Sequence, residues 1–456
     1  MNLPNYFLAD LPAEAVLRPE MVAEACQTLR RNRERFLLPK STESMIQTLV
    51  EVARMWLMPH SPWMAEAMAS SEGRYGFSPE MLKQGIEAFF RLWTPRNLSA
   101  LVVQDLGHVQ RLDRLVANDA EMFQGAAAFA RGPEMLVHIV GGVLPTPVFT
   151  ALLHGLLVRS AQFVKCASGH SILARLFGHS LREVEPKLAA CVELAHWPGG
   201  SSDLEAALFG EADCVVASGA DRTMEALRRV VPRKARFLEH GHRVSAGYVA
   251  REVLGPYDEA RVVQAAAADV AAWDQLGCLS PHVIYVETGG LLPPESFAAR
   301  LGEELARLET SCPRGKVSEE TASAIFRRRD FYRVRAAVGE GTRVWASEDS
   351  TAWTVVYEAD CQFQLSCLHR FVYVKAVETL EDCLRLAEPI RGQWSTVGLA
   401  ATGLRVDELA QQFADWGVTR ICPLGRMQHP PLTWRHDGRP VLGDLVRWTN
   451  HERPAE

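Results

Sequence analysis

Apolar positions change their spacing near residue 134. From about Pro19 to Val116 they recur at helical intervals, as in VAEACQTLRRNRERFLL and STESMIQTLVEVARMWL. That spacing predicts a mostly helical N-terminal region. Ser41 or Thr42 is placed to cap the second of these helices, with Glu43 close behind. Beyond Glu134 the apolar runs shorten. LVHIV ends in Gly141-Gly142, QFVK ends at Lys165, and ACVELA spans Ala190–Ala195. DCVVAS runs from Asp213 to Ser218, and ARFLEHG follows. Helix-like stretches lie between them, one after Pro145 and Pro147 and another in ADRTMEALRRV. Short β runs alternating with helices predict βαβ units and a parallel sheet. Such sheets bind ligands at the carboxyl ends of their strands. Here those ends carry Gly141-Gly142, Lys165-x-x-Ser168, Ser218-Gly219 and Glu239-His240-Gly241, a plausible nucleotide face.

A second α/β segment starts near Gly247. A helix is predicted from Glu259 to Trp273, then a turn holding Cys278, then a strand HVIYVE. PPESFAARLGEELARLE is another helix, with Pro294 suited to its first turn. FVYVKAV and TVGLAAT read as strands flanking LEDCLRLAEPI, and GVTRICPLGRM leads into a polar tail, TWRHDGRPVLGDLVRW. The chain shows no internal repeat and no low-complexity segment.

Composition narrows the function classes. The 456 residues are 48% hydrophobic and 23% charged, with net charge -6, which gives no basic surface for sequence-independent binding of nucleic acid. Arg327-Arg328-Arg329 reads as a solvated helix face, with contact to a phosphate as the alternative. No basic segment followed by an apolar one opens the chain, so no signal peptide is expected. The most apolar stretch, Leu136 to Val158, is interrupted by His138, His154, Pro145, Pro147 and a Gly-Gly pair. A strand, a turn and a buried helix fit it better than a membrane span. Ten cysteines occur without a C-x-x-C, so neither a zinc ribbon nor a thioredoxin-type redox site is indicated. In a long chain with no export signal expected, reduced thiols in the cytosol are the expectation. Neither G-x-G-x-x-G nor G-x-x-x-x-G-K-[ST] is present.

Cys278 sits between Gly277 and a Leu-Ser-Pro turn. A nucleophilic cysteine needs access, an activated thiol and a donor for the developing oxyanion. Gly277 would let a substrate approach closely. The alternative is a small buried thiol, since free cysteine is among the most buried residue types.

Four segments, in order, resemble the aldehyde dehydrogenase superfamily and more closely the LuxC-type acyl-CoA reductases: FVKCASGHS, VVASGADRTMEALRR, FLEHGHRVS and DQLGCLSPHVIYVE. The closing GVTRICPLGRMQHPPLTWRHDG is similar to the LuxC terminus, so the resemblance runs from about Glu134 to Trp448. It implies an aldehyde-dehydrogenase-like α/β fold, with a Rossmann-type cofactor domain and a second α/β catalytic domain. The expected division is residues 1–247, helical region and NAD(P)-binding domain; 248–424, catalytic domain; and 425–456, a return segment.

The resemblance also implies roles. Cys278 is the acyl acceptor. Lys165 and Ser168 lie at the cofactor's adenosine ribose, with a surface lysine at a strand end as the alternative for Lys165. Gly142, Ser218 and Gly219 border the cofactor. Arg222 meets a 2′-phosphate, which favours NADPH over NADH, or simply faces solvent. Glu239 matches the superfamily's general base and here serves proton transfer or cofactor binding. His240 and His242 spell an H-x-H, but relatives keep the second histidine without needing metal. His242 is expected to hydrogen-bond near the active site, with ordinary packing as the alternative. One departure concerns the loop Gly141–Pro145, where relatives carry an asparagine that helps hold the oxyanion and this chain has none, with Val143 in its middle. The implied reaction is NAD(P)H-dependent reduction of an acyl thioester, on CoA or a carrier, to an aldehyde. Long-chain fatty acyl groups, an acyl-donating synthetase partner and a homo-oligomer come with the family. Aldehyde oxidation and a weakly catalytic docking scaffold are the alternatives.

Overall fold

The N-terminal apolar spacing folds as helices Pro19–Asn32, Thr42–Leu57, Pro62–Ala69, Pro79–Phe90 and Pro95–Leu106. Proline begins four of them, where its missing N–H belongs to a group that lacks a partner anyway. Ser41, not Thr42, is the cap: its hydroxyl accepts from the Ser44 N–H at 3.2 Å. The Thr42 hydroxyl instead donates to Asp113, 2.8 Å away. The computed structural model describes residues 3–452 except 13, 72–75, 143 and 340. By internal contacts it groups into two units, Met1–Ser70, Ile86–Gly241 and Pro431–Glu456 in one, and Ser71–Gly85 and His242–Pro430 in the other.

The first unit contains β1 (Ala126–Arg131), β2 (Met135–Val140), β3 (Ala161–Cys166), β4 (Val192–His196), β5 (Cys214–Ser218) and β6 (Arg236–His240). The last five form a sheet in the order β4-β3-β2-β5-β6, with every pairing parallel. Helices Thr146–Leu157, Ile172–Val184, Ser202–Glu211 and Asp221–Val230 make the crossovers. The strand order reverses between β2 and β5, the position at which doubly wound sheets open a crevice for ligand. The apolar stretch 136–158 is β2, a turn and a helix that buries Val148, Phe149, Leu152, Leu153, Leu156 and Leu157. No described helix is long and apolar enough to cross a membrane. The polar closing segment does not remain a tail: Arg447–Glu452 pairs antiparallel with β1, from Ala126↔Glu452 to Arg131↔Arg447.

His138, on β2, is 2% exposed, and its Nε2 lies 3.0 Å from Gln162 Oε1. Burial pushes its pKa down from 6.5 to about 4. Between those values the unfolded chain binds a proton that the folded chain refuses, so stability falls as pH falls. His138→Gln removes that contribution. Its loss of stability between pH 7 and pH 4.5 should be smaller than the wild type's by about 2 kcal/mol in urea titrations. Equal losses in the two proteins would refute this assignment.

The second unit holds β7 (Val244–Val249), β8 (Pro281–Glu287), β9 (Thr342–Ala346), β10 (Thr354–Glu358), β11 (Phe371–Val377), β12 (Trp394–Ala400) and β13 (Arg420–Pro423). Their order is β13-β12-β7-β8-β11-β10-β9, parallel except for the edge strand β9. Every residue of β8 and β11 is buried, as expected for central strands covered on both faces. Ile284 and Val286 pack with helices Glu259–Ala271 and Pro294–Ser311. Val283 and Tyr285 face the opposite layer, which includes Phe413 and Trp416 of helix Leu404–Trp416.

One correction concerns Arg327-Arg328-Arg329, on helix Glu319–Val338. Arg329 is not solvated: it is fully buried. Its guanidinium donates to Thr354 Oγ1 at 2.8 Å and to the carbonyls of Ser350 and Trp353 at 2.6 and 2.7 Å. A buried guanidinium is tolerated when its donors are paired in this way. A run of like charges cannot show from sequence which member turns inward.

Candidate active site

In the first unit, Lys165 and Ser218 flank the carboxyl end of β2. Lys165 pairs with Ile139 on one side, and Ser218 pairs with Val140 on the other. The Gly141 N–H donates to the Ser218 carbonyl at 3.2 Å. A Cβ at Gly141 would sit 2.8 Å from that carbonyl oxygen, so a larger residue there would force the two strand ends apart. Gly142 has φ +85°, and space for a Cβ there is open. Burial, opposed by Glu205, pulls the Lys165 pKa down. Ser168 and Arg222 are exposed, Ser168 beside Gly169 with φ +79° and Arg222 in the first turn of helix Asp221–Val230. Val143, in the loop where an oxyanion-holding asparagine is expected and is missing from the sequence, lies outside the described residues.

Glu239 is the next-to-last residue of β6, before His240, and Ala217 pairs with it across the sheet. Its Oε1 accepts from Arg228. Its Oε2 is buried with no hydrogen-bond partner among the described residues. An orphaned buried acceptor calls for a donor, and a ribose hydroxyl or a carboxamide would supply one. Together with the Lys165 cation and the glycine-lined strand ends, this donor and acceptor set fits a dinucleotide.

His240 is brought together with two residues that sequence reading did not connect to it. Its Nδ1 lies 2.7 Å from Asp437 Oδ2. Its ring stacks on His436 with centroids 4.1 Å apart and planes 4° from parallel. The ligand atoms of this trio lie within 4.8 Å of one another. Imidazole lone pairs lie in the ring plane, so parallel rings aim them in parallel and do not converge on one cation. The trio is better described as a stacked, carboxylate-oriented histidine pair.

In the second unit, Cys278 rides on a constrained turn. Trp273, Asp274 and Gln275 all have positive φ (53°, 51° and 63°), and so do Leu368, His369 and Arg370 (61°, 55° and 62°). Each such residue costs about 1–2 kcal/mol outside glycine. The two left-handed turns hold each other. Arg370 contacts the Asp274 carboxylate at 2.8 and 3.0 Å. The Gln275 amide donates to the carbonyls of Pro281 and Phe371 at 2.8 and 2.9 Å. The predicted helix to Trp273 therefore stops at Ala271.

Past that point, the Ser280 N–H donates to the Gly277 carbonyl at 2.9 Å, which closes a turn. Ser245 Oγ donates to the Cys278 carbonyl at 2.8 Å. Of the ten cysteines, six are buried, three are half-buried and Cys278 is exposed. Gly277 does not simply leave room for substrate: a Cβ there would lie 2.8 Å from both terminal atoms of the Gln428 amide.

His242 is exposed and close enough to His282 to help depress its pKa, which burial lowers to about 4. Glu287, at the end of the cysteine-bearing motif, is a buried anchor. It accepts from the Tyr248 hydroxyl at 2.6 Å, from the Arg251 N–H at 3.0 Å and from Arg405. The sequence signal for that role was the last letter of HVIYVE alone.

The two sheets and their order define a class. The chain superposes on lactaldehyde dehydrogenase with TM-score 0.70 and 15% identity, covering 98% of this chain and 95% of that one. A salicylaldehyde dehydrogenase from Pseudomonas putida G7, in complex with salicylaldehyde, gives TM-score 0.70 at 13% identity, covering 99% and 95%. The fold is that of the aldehyde dehydrogenases. Within that class the chain belongs to the acyl-CoA reductase (LuxC) family, which matches residues 37–448. Long-chain acyl-protein thioester reductases of Vibrio harveyi and Aliivibrio fischeri are 26% and 24% identical to it. Each alignment covers 83% of this chain and 76% of the relative. By family the protein is an oxidoreductase of acyl groups.

Proposed function

We propose that this protein reduces a long-chain acyl thioester to the aldehyde, with NADPH as reductant and Cys278 as covalent acceptor. The exposed thiol on a turn braced by Ser245 carries the reading: it alone among the ten cysteines is exposed. The thiolate attacks the thioester carbonyl, the C–S bond to the donor breaks, and the donor leaves as a thiolate that takes a proton from solvent. Nicotinamide, when bound, supplies hydride to the acyl carbon. The resulting thiohemiacetal on Cys278 takes up a proton as it forms and returns it as it collapses, which releases aldehyde and the free thiolate. Splitting the reaction at Cys278 replaces one hard step by two easier ones.

Lys165, Ser168, Ser218, Gly219 and Gly142 hold the dinucleotide in this reading, and Arg222 takes a 2′-phosphate. Glu239, tied to Arg228 of helix Asp221–Val230, offers its second oxygen to the cofactor or to proton transfer. This suits a reductase, which gains nothing from activating water against its acyl-enzyme. His242 contributes a hydrogen-bonding group near the start of β7. The relatives' names, long-chain acyl-protein thioester reductase, point to a protein-bound thioester as acyl donor; an acyl-donating synthetase and a cytoplasmic homo-oligomer complete this reading.

A panel of acyl-CoAs and acyl-carrier thioesters of graded length, each with NADH and with NADPH, tests this reading. Aldehyde should form with the long-chain donors, faster with NADPH. Aldehyde oxidation without thioester reduction would replace it with the reverse reaction. Partner binding without any loss of nicotinamide absorbance would leave a docking scaffold.

A further inference from the structure

The segment Pro423–Gln428 follows β13 and is fixed by two buried charges. Arg420 Nη1 donates to the Met427 carbonyl at 2.7 Å, and Nη2 donates to the Arg426 carbonyl at 2.9 Å. The Asp269 carboxylate, 1% exposed, accepts the N–H groups of Gly425 and Met427, the latter at 2.9 Å. Gly425 turns the chain with φ +88°, and a Cβ there would lie 3.0 Å from Ala265. The next side chain along, Gln428, donates from Nε2 to Ser280 Oγ at 2.5 Å. Its amide also lies where a side chain at 277 would begin, 2.8 Å from an ideal Cβ. The turn bearing Cys278 is thus met at Gly277 and at Ser280 by one amide.

We infer that Gln428 is a positioning residue for Cys278: its side-chain amide takes the place of a side chain at 277 and braces Ser280, so that the Gly277–Ser280 turn presents the thiol in one orientation. This rests on the proposed role of Cys278. It assigns the glycine to an internal contact and not to substrate access. It also accounts for a neutral amide at this position, because a carboxylate braced against the same turn would oppose formation of a thiolate there, where the Arg420 guanidinium interacts with Cys278.

The test uses the full chain without acyl donor or nicotinamide. Cys278 alkylation by iodoacetamide is followed against pH and mapped by peptide mass spectrometry, with melting temperature measured alongside. Gln428→Glu keeps the shape, and Ser280 can donate to the new carboxylate. Its alkylation profile should move up by about one pH unit, with melting temperature kept. Gly277→Ala should slow alkylation at pH 7 by about fivefold or more, and Gln428→Ala in the same chain should return Gly277→Ala to within about twofold of Gln428→Ala alone. An unmoved profile in Gln428→Glu overturns the inference. So does a Gly277→Ala penalty of the same size in both backgrounds. If Gly277→Ala does not fold, the Gln428→Glu profile decides. These readouts need no turnover, so a wild type that makes no aldehyde refutes the proposed function and leaves this inference to its own data.

Discussion

Cys278→Ala is expected to fold as the wild type does and to lose aldehyde formation by at least about 10³-fold, because removing a covalent nucleophile removes the pathway and not one contact. Cys278 is exposed and belongs to neither of the core clusters described for its unit, so the melting temperature should hold. Incubation with a labelled acyl thioester should place the adduct on the Cys278 peptide in the wild type and nowhere in the variant. Full turnover in Cys278→Ala, or an adduct on one of the half-buried thiols Cys361, Cys367 or Cys422, would move the chemistry elsewhere.

The second large effect is on stability. Arg370 is fully buried and binds Asp274, Glu309 and the Cys312 carbonyl. Arg370→Ala would leave the Asp274 carboxylate buried with its ion-pair partner gone, and it would release a left-handed turn that Arg370 holds against Trp273–Gln275. Breaking a buried pair from one side costs about 3–5 kcal/mol, and urea unfolding should show a loss of that size. In Asp274→Asn with Arg370→Met the buried charge is gone from both sides, and asparagine accepts the left-handed backbone. That double variant should recover at least about half of the loss. If the double variant is no better than Arg370→Ala, the pair is not the clamp.

Much of the candidate site was readable because its parts are local in the chain. Gly141-Gly142, Lys165, Ser218-Gly219 and Glu239 each follow a short apolar run, and strand ends are where such folds bind ligands. The aligned segments then placed Cys278 in a family context. What escaped reading depends on residues far apart in sequence. His240 meets Asp437 across 197 positions, and nothing in FLEHGHRVS points to a partner in TWRHDG. Gln428 reaches Ser280 across 148 positions. The strand Arg447–Glu452 is exposed along its whole length and, apart from Trp448, polar, so it has no apolar alternation to announce it.

The sequence by itself determined the elements, their βαβ alternation, the strand-end candidates and the motif order that marks the family, because periodicity and turn residues act within a few positions of themselves. Only the tertiary structure decided which charge turns inward, what a side chain at position 277 would meet and what contacts the Cys278 turn makes. Those outcomes depend on packing between segments that the chain separates by scores of residues, and a side chain's burial or partner is a property of its neighbours in space.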